Sequence, residues 1–236
     1  MISRLRKDIL LWEGFKSPAP NHEDRIGLGP IEAAFPNGVF PTGTIHEIIC
    51  PTPEQTAATC GFMAGLLSSL MLQGGVCLWI GVSRKLFPPS LMAFDVAPDQ
   101  MIFIDLQREK DVLWVMEEAL KCVGLAAVIA ELREISFAQS RRLQLAVESS
   151  KVTGFLLRND PRKLGTTTCV ARWQITPIPS EPEDELPGVG FPRWNVELLK
   201  VRNGNPGNWK LEWADGHFTI IEEEITANEL QERKAG

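Results

Sequence analysis

FPNGVFPTGTIHEIICPTPEQTAAT, residues 35–59, organises the rest of the chain. Glycine and proline in its first half mark a turn, Thr44–Ile49 reads as a buried strand, and after a tight loop a helix begins near Thr56. Strand, loop and helix in that order form the frame in which a phosphate-binding loop sits. Such a loop needs glycines to bring backbone N–H groups onto phosphate oxygens, a lysine for charge, and a Ser/Thr hydroxyl for Mg²⁺. Laid on the G-x-x-x-x-G-K-[ST] spacing, Cys50 and Gln55 stand at the two glycines, Thr56 at the lysine and Ala57 at the hydroxyl, with Thr52 inside the loop. The frame is kept and its phosphate ligands are replaced.

Working outward, 236 residues at 44% hydrophobic content can bury one sizeable core. On the C-terminal side, Thr56–Gln73 predicts a helix with a broad apolar face, ended by Gly74-Gly75. Val76–Val82 is a continuous apolar run, as in a central parallel strand covered on both faces. A helix over Ser90–Phe94, strand Met101–Asp105, helix Lys110–Cys122, strand Ala126–Glu131, helix Ser136–Ser149 and strand Thr153–Leu157 follow. This alternation predicts an α/β fold of three layers with a mainly parallel sheet. The pattern then changes: Cys169–Ile175, Arg193–Val201 and Trp209–Trp213 read as antiparallel closing strands. Between the first two, residues 176–192 are rich in proline and acidic side chains and read as a mobile loop. On the N-terminal side, Ile2, Leu5, Ile9 and Trp12 predict an amphipathic helix, and residues 17–37 an extended linker that can hold a short helical piece around Ile31–Ala34. The chain divides into 1–34, a core at 35–213, and an acidic tail at 214–236.

Lys and Arg number 24 against 30 Asp and Glu, a net charge of −6. That balance argues against strong autonomous binding of nucleic acid, which depends on phosphate neutralisation. The charge is uneven: residues 133–172 carry a net +5 and residues 173–236 a net −6. The five cysteines form no C-x-x-C pair and read as buried free thiols. Arg4, Arg6, Lys7 and Asp8 leave no apolar stretch for a secretion signal, and Cys60–Leu72 is too short to span a bilayer. The expectation is a cytoplasmic protein with no membrane segment.

FPTGTIHEIICPTPEQT resembles the turn, strand and phosphate loop of the RecA family, and WIGVSRKLFPPSLMAFDVAPDQMIFID follows its strand, helix and strand. VGLAAVIAEL sits at the family's Walker B strand; CVARWQI and RWNVELLKVRNGNPGNWKLEW resemble its antiparallel closing strands. The RRLQLAVES helix and the LLKVRNGNPGNWKLEW ending are closer still to the ImuA family, RecA-like proteins of bacterial error-prone repair. The resemblance covers residues 35–213.

What the resemblance implies is a RecA-like core without ATPase chemistry and without a cofactor or metal. Ser83 stands where the family's water-activating glutamate would be, leaving no general base. Glu131 stands at the Walker B acid; read plainly, it caps a loop or pairs with Arg133. Arg158, Arg162 and Lys163, on a shortened loop after the next strand, and Arg141 and Arg142, on the preceding helix, are candidates for residual DNA contact or form a solvated basic face. Trp12, Arg202, Trp209 and Trp213 are candidates for partner contact, core packing being the alternative for the last two. His22, His46 and His217 show no metal-ligand spacing. The implied role is a non-enzymatic adaptor of damage-induced mutagenesis (translesion DNA synthesis). Its implied partners are RecA, an ImuB-like Y-family protein and, indirectly, an error-prone C-family polymerase. The alternative is a SulA-like SOS inhibitor of cell division.

Overall fold

Every residue of strand β1 (Ile45–Cys50) is buried, because the strand lies in the middle of a sheet covered on both faces. The computed structural model describes residues 26–72, 74–82, 86–181 and 190–221. Among them, nine strands form one sheet in the order β3-β2-β4-β5-β1-β6-β7-β8-β9. They are β1, β2 (Val76–Gly81), β3 (Met101–Asp105), β4 (Leu125–Leu132), β5 (Thr153–Asn159), β6 (Ala171–Ile178), β7 (Arg193–Val201), β8 (Gly207–Ala214) and β9 (His217–Ile220). Pairs among β1 to β6 are parallel; β6–β7, β7–β8 and β8–β9 are antiparallel. This is the RecA-like α/β arrangement, a mainly parallel sheet closed by antiparallel strands.

Side-chain alternation along the strands divides the core in two. Ile48, Cys77, Trp79, Ile129, Phe155 and Trp173 face helix α1 (Pro53–Met71), whose Phe62, Met63, Leu66 and Leu67 are buried against them. Leu78, Ile80, Val128, Ala130 and Leu156 face α2 (Glu109–Ala119) and α3 (Phe137–Ser150). Val112, Met116 and Ala119 of α2, and Leu143 and Val147 of α3, meet that face at helical spacing. Ser136 and Gln139 close a reciprocal capping box at the start of α3. Gly65 of α1 lets the helix approach β8 and β9: a Cβ there would lie 2.7 Å from Trp213 and 2.8 Å from Phe218.

Three expectations need correction. Residues 26–34 are not a free linker: Ile26, Leu28 and Ile31 are buried, and Gly29–Ala34 forms 3₁₀ turns. The buried Glu32 carboxylate accepts the Ile26 and Leu28 N–H groups at 3.0 and 3.1 Å, which holds the segment onto the core. The segment after Trp213 is not wholly peripheral: His217–Ile220 adds strand β9 and buries Phe218. Pro88–Phe94 is 3₁₀ rather than α-helical. The amphipathic N-terminal stretch with Trp12, the exit of β2 at Ser83, residues 182–189 of the acidic Pro-rich loop (whose first residues continue β6 to Ile178) and the tail beyond residue 221 lie outside the described residues.

Candidate functional site

Only Pro51 and Thr52 separate β1 from α1. Thr52 caps the helix, its Oγ1 accepting the Gln55 N–H at 3.3 Å, and Pro53 takes the first helical position, where no N–H is needed. Pro53 to Ala57, five of the eight positions matched to the phosphate-loop spacing, are therefore helix, and no open nest of N–H groups forms. Glu54 adds a carboxylate in the first turn, on the positive end of the helix dipole where a phosphate would compete with it. A hydrogen bond from the Thr52 side chain holds the Glu54 carboxyl below its ordinary range, so it is ionised at neutral pH.

Two Walker-type positions, Thr56 and Glu131, are linked through Asn159. The Thr56 hydroxyl lies 3.1 Å from the Thr52 carbonyl and 3.2 Å from Asn159 Oδ1, its one proton serving either acceptor. Asn159 Nδ2 donates to Glu131 Oε2 at 3.3 Å, and Trp79 Nε1 donates to Glu131 Oε1 at 2.7 Å. A chain of polar contacts thus runs from α1 through the ends of β5 and β4 to β2. Glu131 is buried and engaged by neutral donors rather than by Arg133, whose guanidinium sits on Asp160 at 3.2 Å. Gln55 turns away, its Nε2 donating to Thr176 at 3.1 Å; Cys50 is buried, its Sγ 3.4 Å from Thr59 Oγ1. Ala57 borders a shallow apolar groove of about 430 Å³ with Gly61, Leu91, Phe94, Pro177 and Trp194. Arg193 at its edge is engaged by Glu212 and Glu181. Among the described residues, no three His, Cys, Asp or Glu side chains are placed to hold a metal.

The basic candidates separate into two kinds. Arg158 is fully buried and does not belong to an exposed basic face. The chain passes from β5 to β6 across the face of β1 without a helix, so carbonyls of that connection lie over the sheet and need donors. Arg158 supplies one set: its guanidinium donates to Lys163 O at 2.7 Å and Arg133 O at 3.1 Å, and to Glu47 Oε1 at 2.9 Å and Glu134 Oε2 at 3.0 Å. Arg172 donates to Gly165 O at 2.7 Å and Glu47 Oε2 at 2.8 Å, and Thr167 completes the Glu47 carboxylate at 3.0 Å. Glu47 is the buried counter-charge for two arginines. Sequence reasoning missed it and Asn159; the signal for Glu47 was a carboxylate inside the buried strand IHEIIC. Arg162 and Lys163 are exposed on the same connection, and Arg141 and Arg142 on α3, with Arg142 paired to Glu117.

The remaining candidates are mostly structural. His46 is fully buried, stacked on Phe40 at 4.5 Å; it accepts from Trp173 Nε1 at Nδ1 and donates from Nε2 to Pro41 O. Burial pushes it down to about 4, so the neutral ring is a core element. Trp213 is buried beside Phe94 and Phe218, and Trp209 is half-buried against the α1-side core. Arg202 donates to the Thr168 carbonyl. Cys122 is exposed, whereas the other four cysteines are buried; burial pushes the Cys77 and Cys169 thiols up to about 12. No described helix is long and apolar enough to cross a membrane.

No protein-family model matches the chain. Curated relatives do: Protein ImuA of Caulobacter vibrioides, strain NA1000 / CB15N, is 32% identical over 217 residues, 86% of this chain and 88% of that protein. The same protein in strain ATCC 19089 / CIP 103742 / CB 15 matches to the same extent. At that identity and coverage the chain belongs to the ImuA family.

Proposed function

We propose that this chain is a non-enzymatic RecA-like adaptor in a damage-induced mutagenesis complex, linking RecA, an ImuB-like Y-family protein and an error-prone C-family polymerase in the cytoplasm. Membership of the ImuA family supports the setting. The observation that supports a non-enzymatic reading is the polar chain Thr56–Asn159–Glu131–Trp79, in which Asn159 and the Trp79 indole engage the side chains at two Walker-type positions. Phosphate binding depends on free N–H groups and a cation; the α1 start offers a proline, a filled cap and a carboxylate instead. What such a core retains is its surfaces, and those are what an adaptor uses.

The direct test is capture of purified RecA and the ImuB-like protein, with and without ATP and Mg²⁺. The adaptor reading expects capture of at least one, unchanged by nucleotide. Binding to neither, or binding that requires ATP, counts against it.

A further inference from the structure

The groove of about 430 Å³ beside α1 is left open by small side chains. Ala57, Gly61 and Ala64 recur at helical spacing along it, and a Cβ on Gly61 would stand 3.2 Å from Trp194 and 3.3 Å from Phe94. Leu91 and Phe191 extend the lining from the 3₁₀ turns and from the approach to β7. Arg193 at the edge is paired with Glu212 and Glu181, so its charge is already balanced. The cavities beside α2 and α3 differ, with glutamate, lysine and arginine among their walls. An apolar lining suits an apolar segment and offers little to a phosphate or a carboxylate.

The chain itself supplies such a segment. Residues 1–16 carry Ile2, Leu5, Ile9, Leu10, Leu11, Trp12 and Phe15, and four of these form the stripe Ile2–Leu5–Ile9–Trp12. So much apolar surface in so short a stretch calls for cover. The described chain begins at Ile26, on the groove's side of the sheet: Ile26 shares one core with Trp194 and Phe94. From there Gly29–Ala34 packs on β8 and β9, beside the strand β7 that carries Trp194. Residues 17–25 join the two parts. With Pro18 and Pro20 among them, these nine residues reach about 28 Å when extended, close to the length of the nine-residue β7. The segment can therefore be carried along this face to the groove.

We propose that the groove beside α1 is covered by this chain's own N-terminal segment, residues 1–16, with Trp12 and its apolar neighbours lying on Ala57, Gly61 and Phe191. The inference is independent of the adaptor reading. It makes this surface one that a partner meets only when the segment leaves.

Hydrogen exchange on the full chain tests it, with the variants Trp12→Ala and Ala57→Glu. Amides of residues 3–14 are expected to be protected in the wild type, and each variant to lower that protection by about tenfold or more, the loss of one anchor. Ala57 is exposed, so the melting temperature should not change; if it falls, Pro192→Glu on the exposed rim takes its place. Protection should persist as salt rises, because the lining is apolar. Free exchange of residues 3–14 in the wild type, or protection that survives the groove variants, would overturn the proposal. So would protection lost on dilution together with a larger species on sedimentation, which would mark docking between two copies. Protection that appears only on adding RecA or the ImuB-like protein would also overturn it, since the segment would then belong to a partner's site.

Discussion

Replacing Arg158 with methionine removes the charge and the donors while filling most of the volume. The arginine is fully buried and donates to Glu47, Glu134, and the Arg133 and Lys163 carbonyls. Its loss leaves Glu47, itself fully buried, with only Arg172 and Thr167, and takes the guanidinium donor from the Arg133 and Lys163 carbonyls. Breaking a buried pair from one side costs roughly 3–5 kcal/mol. The half-exposed Glu134 adds little. The retained Arg172 contact places the cost near the lower end, about 3 kcal/mol, or a melting temperature lower by about 6–12 °C for a chain of this size. Urea unfolding followed by tryptophan fluorescence at pH 7 measures it, and hydrogen exchange over residues 160–168 should rise. A cost below about 1 kcal/mol with unchanged exchange in the connection would refute the reasoning, since that range belongs to solvated pairs.

Three further outcomes follow from the same packing. His46 is held near 4 in the folded protein against an ordinary 6.5, so the unfolded chain binds the proton first. Stability should be independent of this group above pH 6.5 and fall as pH drops from 6.5 towards 4; His46→Gln should flatten that slope, and equal slopes would contradict the assignment. Gly65→Ala should cost about 1–3 kcal/mol although alanine favours helices, because the new methyl meets the Trp213 and Phe218 rings at 2.7 and 2.8 Å; a gain on thermal melting would refute it. Glu131→Ala should cost about 1–3 kcal/mol by orphaning the buried Trp79 N–H, and an unchanged urea midpoint would show that the indole finds another acceptor.

The order of strands and helices was legible because each is a local pattern: the apolar run Met101–Asp105 and the alternating Arg193–Val201 even begin and end where the strands do. The end of the sheet had a signal that was passed over. Asp215-Gly216 both adopt positive φ, 52° and 75°, the requirement of a tight hairpin, and an Asp-Gly pair between short apolar runs announces one. The anchoring of residues 26–34 depends on Glu32 turning back onto N–H groups four and six residues earlier; prolines and glycines there suggest a linker with a short helical piece, and nothing local announces the carboxylate's return. The degenerate phosphate loop was readable from residue types alone, but what replaced it was not. Asn159 reaches Thr56 and Glu131, and Arg158 reaches Glu47, across strands distant in sequence, so neither pairing leaves a local trace. Arg158 read as a loop cation because its strand runs to Asn159, two residues longer than its apolar run.

The central claim is that the RecA-like strand ends of this chain no longer handle a nucleotide triphosphate. Calorimetric titration of the full chain with ATP and Mg²⁺ tests it most directly. The helical start at Pro53, the Glu54 carboxylate and the engaged Glu131 predict no saturable heat at ATP concentrations up to about 1 mM, a regime weaker than about −4 kcal/mol of binding. A saturable isotherm with micromolar affinity, lost in Thr56→Val or Glu131→Ala, would contradict the account and return the site to nucleotide chemistry.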